Sequence, residues 1–151
     1  STVGTTTEIY DYFRLLFAKI GTPKCPTHGG ILEKLDVDSL IDELLSLPDG
    51  TKIHILSPVV RNKKGEFQKE FEKWAKDGFV RARVDGEYLE LDKTIKLQKT
   101  KVHSIDVLVD RLIIKKDIKA RLRESLATAL KLSKGYISIE NLSSSSEKLY
   151  S

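Results

Sequence analysis

Cys25, Pro26, Thr27 and His28, followed by Gly29 and Gly30, set a thiol and an imidazole three residues apart on a proline- and glycine-broken turn. That is the spacing of half a tetrahedral zinc site, in which close ligand pairs sit on tight turns. A structural zinc site takes four ligands. Cys25 is the only cysteine, and the remaining histidines, His54 and His103, stand alone inside β-rich runs. Two readings stay open: a chance loop, or part of a site whose other ligands lie outside this chain.

Other chemistry is sparse. "KKGEFQK" lacks the spacing of a phosphate-binding loop, and no G-x-S-x-G elbow occurs. The serines at 143 to 146 have no histidine near them in sequence. Asp106 and Asp110, four apart on one strand-like run, are expected on one face about 13 Å apart, too far to act on one bond as a carboxylate pair. The residues thus read as no enzyme. Arginines on strands stand out more. Arg81 and Arg83 alternate on "FVRARV", and Arg111 follows a long β run. A planar guanidinium on a sheet face offers paired donors to carboxylates or phosphates. Composition alone favours a plainer role, solubilising charge on the uncovered face.

The bulk numbers are those of one globular domain. The chain has 151 residues, 40% hydrophobic and 32% charged, with 26 basic and 22 acidic side chains, net +4 and pI about 9.1. The charge permits nucleic acid or an acidic protein as partner and demands neither. A single cysteine excludes an internal disulfide and fits a reducing, cytoplasmic setting. No apolar run approaches the roughly 20 residues that span a bilayer, and no secretory leader opens the chain.

Periodicity supplies the elements that would position these residues. Ile9, Phe13, Leu16, Phe17 and Ile20 recur at helical spacing, with Gly21 to close the helix. Its aromatics cover more than one stripe, so it expects neighbours on several sides. A second helix runs through "DVDSLIDELLSLPDG", capped by Asp36 or Asp38. "KIHILSPVV" predicts a strand, and "KKGEFQKEFEKWAKDG" a short helix with Phe67, Phe71 and Trp74 on one face. "FVRARVDGEYLEL" predicts a hairpin turning at Asp85-Gly86, and "KVHSIDVLVDRLII" a long strand. "KKDIKARLRESLATALKLSKG" predicts a helix capped by Asp117, and "YISIENL" a strand. "SSSSEKLYS" reads as a low-complexity linker. The order from residue 52, β-α-β-β-β-α-β, predicts an α+β fold: a mostly antiparallel sheet with helices packed on one face.

Taken together, STVGT-x-TEIYDY, LSPVVR-x-x-KGE, R-x-R-x-DGE and VDR, in this order, resemble the UvrA family of the excinuclease ABC system. The resemblance covers essentially the whole chain. It implies a damage-sensing ATPase of bacterial nucleotide excision repair, of which this stretch lies after the first Walker A motif. It carries no Walker A, signature or Walker B motif, so no activity of its own is expected. Residues 1–34 would be a helical segment of the first ATPase half, 35–142 an inserted domain that binds UvrB, and 143–151 a linker. The same insertion would meet the transcription-repair coupling factor. Arg81 in R-x-R-x-DGE and Arg111 in VDR match family positions expected to make charged contacts with UvrB, with Arg83 and Asp110 beside them. Cys25 and His28 match two ligands of a split zinc site completed by a CP-x-C after the insertion. Zinc, ATP and DNA would thus belong to the full-length protein, with none of these cofactors in this stretch. A basic nucleic-acid-binding module is the rival reading, but no strand interleaves aromatic and basic residues and no helix is crowded with Lys and Arg.

Overall fold

The computed structural model describes residues 31–151. The segment expected to form the opening helix and the Cys25/His28 pair lie outside the described residues. In chain order the elements are β1 (Ile31–Glu33), α1 (Val37–Leu45), β2 (Lys52–Lys64), α2 (Gln68–Lys76), β3 (Arg81–Val84), β4 (Glu87–Glu90), β5 (Val102–Ile113), α3 (Lys119–Ser133), β6 (Ile137–Asn141) and β7 (Ser146–Tyr150). The strands form one sheet in the order β1-β7-β6-β2-β5-β3-β4. Every pairing is antiparallel except β1 with β7. The predicted α+β architecture is therefore present.

Local chemistry accounts for most of the element ends. Asp36 caps α1, its carboxylate accepting from the backbone N–H groups of Asp38 and Ser39 at 3.1 and 3.3 Å. The β3–β4 hairpin turns on Asp85 and Gly86, whose φ values of 51° and 88° fit the turn that matches strand twist. At α3 the expected cap is absent. Ile118 occupies that position with no side-chain bond, and Asp117 lies one residue too early.

The helices among the described residues, α1, α2 and α3, lie on one face of the sheet. One apolar cluster joins Leu40, Ile41 and Leu44 of α1 and Leu122, Leu126 and Ala129 of α3 to Ile53, Ile55, Leu112, Ile137 and Ile139. A second packs Phe71 and Trp74 of α2 over Val60, Ala82, Val84, Ile105 and Val107. Within each cluster the members of a strand are two residues apart, but the parity changes between clusters, from Ile105 and Val107 to Leu112 on β5 and from Ile53 and Ile55 to Val60 on β2.

Two features were not expected. Residues 143–151, read as a linker, contain β7, which pairs with β6 and β1 and buries Leu149 and Tyr150. Tyr150 is held from its far end, its hydroxyl donating to Glu43 of α1 at 2.8 Å. The sheet also starts before residue 35, since β1 is part of it. Secondly, the sheet is rolled. Arg83 of β3 reaches Glu147 of β7 at 2.7 Å, although β5, β2 and β6 lie between them. On a flat sheet four strand spacings would separate those strands by about 19 Å. The helix-free face is thus a concave interior, not an open surface.

Candidate protein-docking site

The site is built where β3 and β5 part company. β3 pairs with β5 only from Ala82–Val107 to Val84–Ile105. Past Val107, β5 continues to Ile113 along β2 alone. The gap beside its outer edge is a depression of about 380 Å³ lined by Gly78, Val80, Arg81, Leu108, Asp110, Arg111 and Arg121, among others. Sequence reasoning assigned Arg81 and Arg111 to different strand-like runs, and the structure brings both to this depression.

A β-bulge shapes it. Ile55 pairs with Asp110 but Leu56 pairs with Leu108, so Val109 is an extra residue on β5. One added residue reverses the facing of everything beyond it. Asp106 and Asp110 therefore lie on opposite faces, which corrects the expectation that they share one. Asp106 points into the concave interior toward Arg61 and Arg83. Asp110 points toward α3, where it accepts from Arg121 Nε and Nη2 at 3.0 and 2.8 Å and from Ser125 Oγ at 2.6 Å. It also covers the edge N–H of Arg111 at 2.8 Å. Burial would raise its pKa, but the bonds from Arg121 and Ser125 outweigh that and hold the carboxyl below its ordinary value. Asp110 is thus committed within the chain.

The arginines divide sharply. Arg61, Arg83, Arg121 and Arg123 each face a carboxylate. Arg81 and Arg111 have no ion-pair partner among the described residues, and Arg111 is exposed. Two guanidiniums beside one depression, whose one carboxylate among the described residues is already paired with Arg121, leave surplus positive charge at its rim.

Arg83 stands differently. It was expected on an uncovered face beside Arg81, yet it is 5% exposed. Its Nε donates to Asp106 Oδ2 at 3.0 Å, and Nη1 and Nη2 form a two-pronged pair with Glu147 at 2.9 and 2.7 Å. Burial opposes its charge, but the two carboxylates overcome this and raise its pKa. Alternation put both arginines on the same face correctly. The curl of the sheet then buried one and left the other at the rim.

The same interior holds a network that single residues did not advertise. His54 Nδ1 lies 3.1 Å from Glu140 Oε1 and 2.9 Å from the Tyr88 hydroxyl, which itself donates to Glu140. Burial lowers the His54 pKa and outweighs the pull of Glu140. Ser138 Oγ donates to Glu147 at 2.5 Å. These partners come from β2, β4, β6 and β7, so no sequence spacing could have grouped them. Arg121 was missed for a similar reason, since it reaches the depression from α3. His103 is pinned at the hairpin, Nδ1 to Asp85 at 2.7 Å and Nε2 to the Gln98 carbonyl at 2.9 Å. Among the described residues no group of three or more His, Cys, Asp or Glu side chains is arranged to hold a metal ion. No helix among them is long and apolar enough to cross a membrane.

Comparison with known proteins gives the geometry its family. A family model described as "UvrA interaction domain" matches residues 36–143. UvrABC system protein A of Pseudomonas aeruginosa is 53% identical over 135 residues, covering 89% of this chain and 14% of that protein. The Streptococcus pneumoniae protein of the same name is 46% identical over 151 residues, covering 100% of this chain and 16% of its own. That of Bacillus subtilis is 46% identical over 140 residues, or 93% of this chain and 15% of its own. The chain thus spans about one-seventh of the length of these relatives.

Proposed function

Because the chain belongs to the UvrA interaction domain family, we propose that it is the protein-docking unit of a nucleotide excision repair ATPase, and that its partner is UvrB. The transcription-repair coupling factor would meet the same face. ATP and DNA are handled by the rest of the parent protein, while this part performs no catalysis.

The observation that carries the reading is the pairing state of the arginines. Arg81 and Arg111 border one depression of about 380 Å³, and neither has an internal carboxylate partner among the described residues. A partner that must be loaded and then released suits such a contact. Charge complementarity speeds encounter and fixes register, and it does not require a large apolar seal.

The test is UvrB affinity for Arg81→Ala, Arg111→Ala and the double variant, by calorimetry, with thermal unfolding beside it. Each single change should weaken binding by roughly 1.5–3 kcal/mol, as for a lost hydrogen bond to a charged group, with an unchanged melt. Parental affinity in both variants would place the interface elsewhere. A duplex DNA titration serves as control, and tight DNA binding lost with the same arginines would favour the nucleic-acid reading instead.

A further inference from the structure

Arg111 borders a second depression, of about 370 Å³, on the other side of its strand, together with Lys52, His54, Ile113 and Leu142. Three properties of its wall argue for a particular guest. First, it is apolar at the rim: Ile113 and Leu142 are 46% and 39% exposed, among the few large hydrophobic side chains that are not covered. Secondly, it has a guanidinium with no carboxylate partner among the described residues, and such a group stacks on aromatic rings. Thirdly, His54 is 8% exposed and its Nε2 is buried without a hydrogen-bond partner among the described residues.

The proton inventory sets what that nitrogen needs. Tyr88 has one hydroxyl proton, and it goes to Glu140. Glu140 Oε1 and the Tyr88 oxygen then both face His54 Nδ1 as acceptors, so Nδ1 carries the imidazole proton. Nε2 is left as a bare acceptor. A buried acceptor without a donor is costly, and a guest that supplies N–H or O–H removes the cost. An aliphatic or acidic guest cannot do so. Solvent does not reach Nε2 with the rim side chains as they stand, so a guest must displace part of the rim, of which Lys52 is an exposed and flexible member.

The geometry points to a subsite for an aromatic side chain bearing a donor, a tyrosine or tryptophan of the docked protein, seated between Ile113 and Leu142, stacked on Arg111 and donating to His54 Nε2. This rests on the protein-docking reading above and extends it from a charge contact to an anchored one. Buried Tyr and Trp anchors of this kind concentrate binding energy at protein interfaces.

The probe is p-cresol, with toluene as the analogue lacking the hydroxyl. Both are titrated onto the chain labelled with ¹⁵N in histidine and ¹³C in Ile and Leu methyl groups. The expected result is saturable shifts confined to His54 Nε2, Ile113 and Leu142. Toluene should bind roughly fivefold more weakly, the factor one net hydrogen bond supplies. Leu142→Glu should abolish the shifts, and Ile113→Glu serves if that variant melts early. Shifts that are absent, scattered, unchanged in both variants or equal for toluene overturn the subsite. This part uses no UvrB, so its outcome is independent of the docking reading. In the second part, UvrB is added to Leu142→Glu. Weakened binding supports the subsite, whereas parental binding, with Arg81→Ala still impaired, leaves docking intact and overturns the aromatic anchor.

Discussion

Arg81 and Arg83 are two residues apart on one strand and face the same way, yet they are opposites energetically. Arg83 pairs with Asp106 and Glu147 inside the rolled sheet, whereas Arg81 borders solvent. Removing one member of a buried ion pair leaves an uncompensated charge, which costs on the order of 3–5 kcal/mol. Removing an unpaired charge at the surface changes stability by within about 0.5 kcal/mol. Urea unfolding should therefore show Arg83→Ala strongly destabilised and Arg81→Ala almost unchanged. Equal midpoints would mean that the Arg83 pair contributes nothing net. The histidines allow a second residue-scale test. The bond to Asp85 raises the His103 pKa, so the folded state holds that proton more tightly. Its contribution is fully present below the ordinary value of 6.5 and is lost as pH rises through the raised folded value. His54 runs the other way: burial lowers its pKa, so below about 6.5 the unfolded chain takes up a proton that the folded one refuses, and stability falls. The two effects oppose one another in the parent. In His103→Gln only the second remains, so stability should drop more steeply between about pH 7.5 and 5.5 than in the parent. A parallel pH profile would show that the His103–Asp85 bond does not hold a proton.

At the scale of elements, β7 and β5 decide most. β7 carries Glu147, the far half of the clamp on Arg83, and Leu149 and Tyr150, which are 1% and 3% exposed. It also covers the β6 edge and is the neighbour of β1 among the described residues. A chain ended after Leu142 should therefore lose its cooperative melt, since the strand that joins β6 to β1, two buried side chains and the partner of Arg83 go together. Far-UV circular dichroism against temperature measures this, and a sharp parental transition in the shortened chain would restore the linker reading of 143–151. β5 acts through its bulge at Val109, which turns Asp110 onto α3 and leaves Arg111 across from His54. The edge it leaves beside β3 is blunted by Asp110 covering the Arg111 N–H, a common device against unwanted strand pairing.

For the whole molecule, the surplus charge of +4 is small for 151 residues, so on the proposed docking reading it is the local charge at Arg81 and Arg111, rather than the net charge, that would steer a partner. Exposed charges are screened beyond about 8–10 Å at physiological salt. Binding to UvrB through these arginines should then weaken by roughly tenfold between about 50 and 500 mM salt, mainly through slower association. Surface plasmon resonance separates the two rates. An affinity independent of salt would mark an apolar interface and exclude the arginine contact as its main source.

Element type was legible in the sequence because it depends on neighbours a few positions apart. The Asp36 cap, the Asp85-Gly86 turn and the β-rich runs of β2 and β5 are all local, and each is found where its pattern placed it. Segment composition was less reliable: four serines marked 143–151 as a linker, but Leu149 and Tyr150 find a core that composition cannot see. Nor could alternation foresee the bulge at Val109, since one unpaired residue leaves no mark in hydrophobic period yet sends Asp106 and Asp110 to opposite faces. Which arginine is spent internally was beyond sequence altogether. Arg81 and Arg83 have the same type, strand and facing. Only the curl of a seven-stranded sheet, which carries Glu147 across three intervening strands to Arg83 and stops short of Arg81, distinguishes them. That curl is a sum of twists and long-range contacts over the whole sheet, and such a sum exists only in three dimensions.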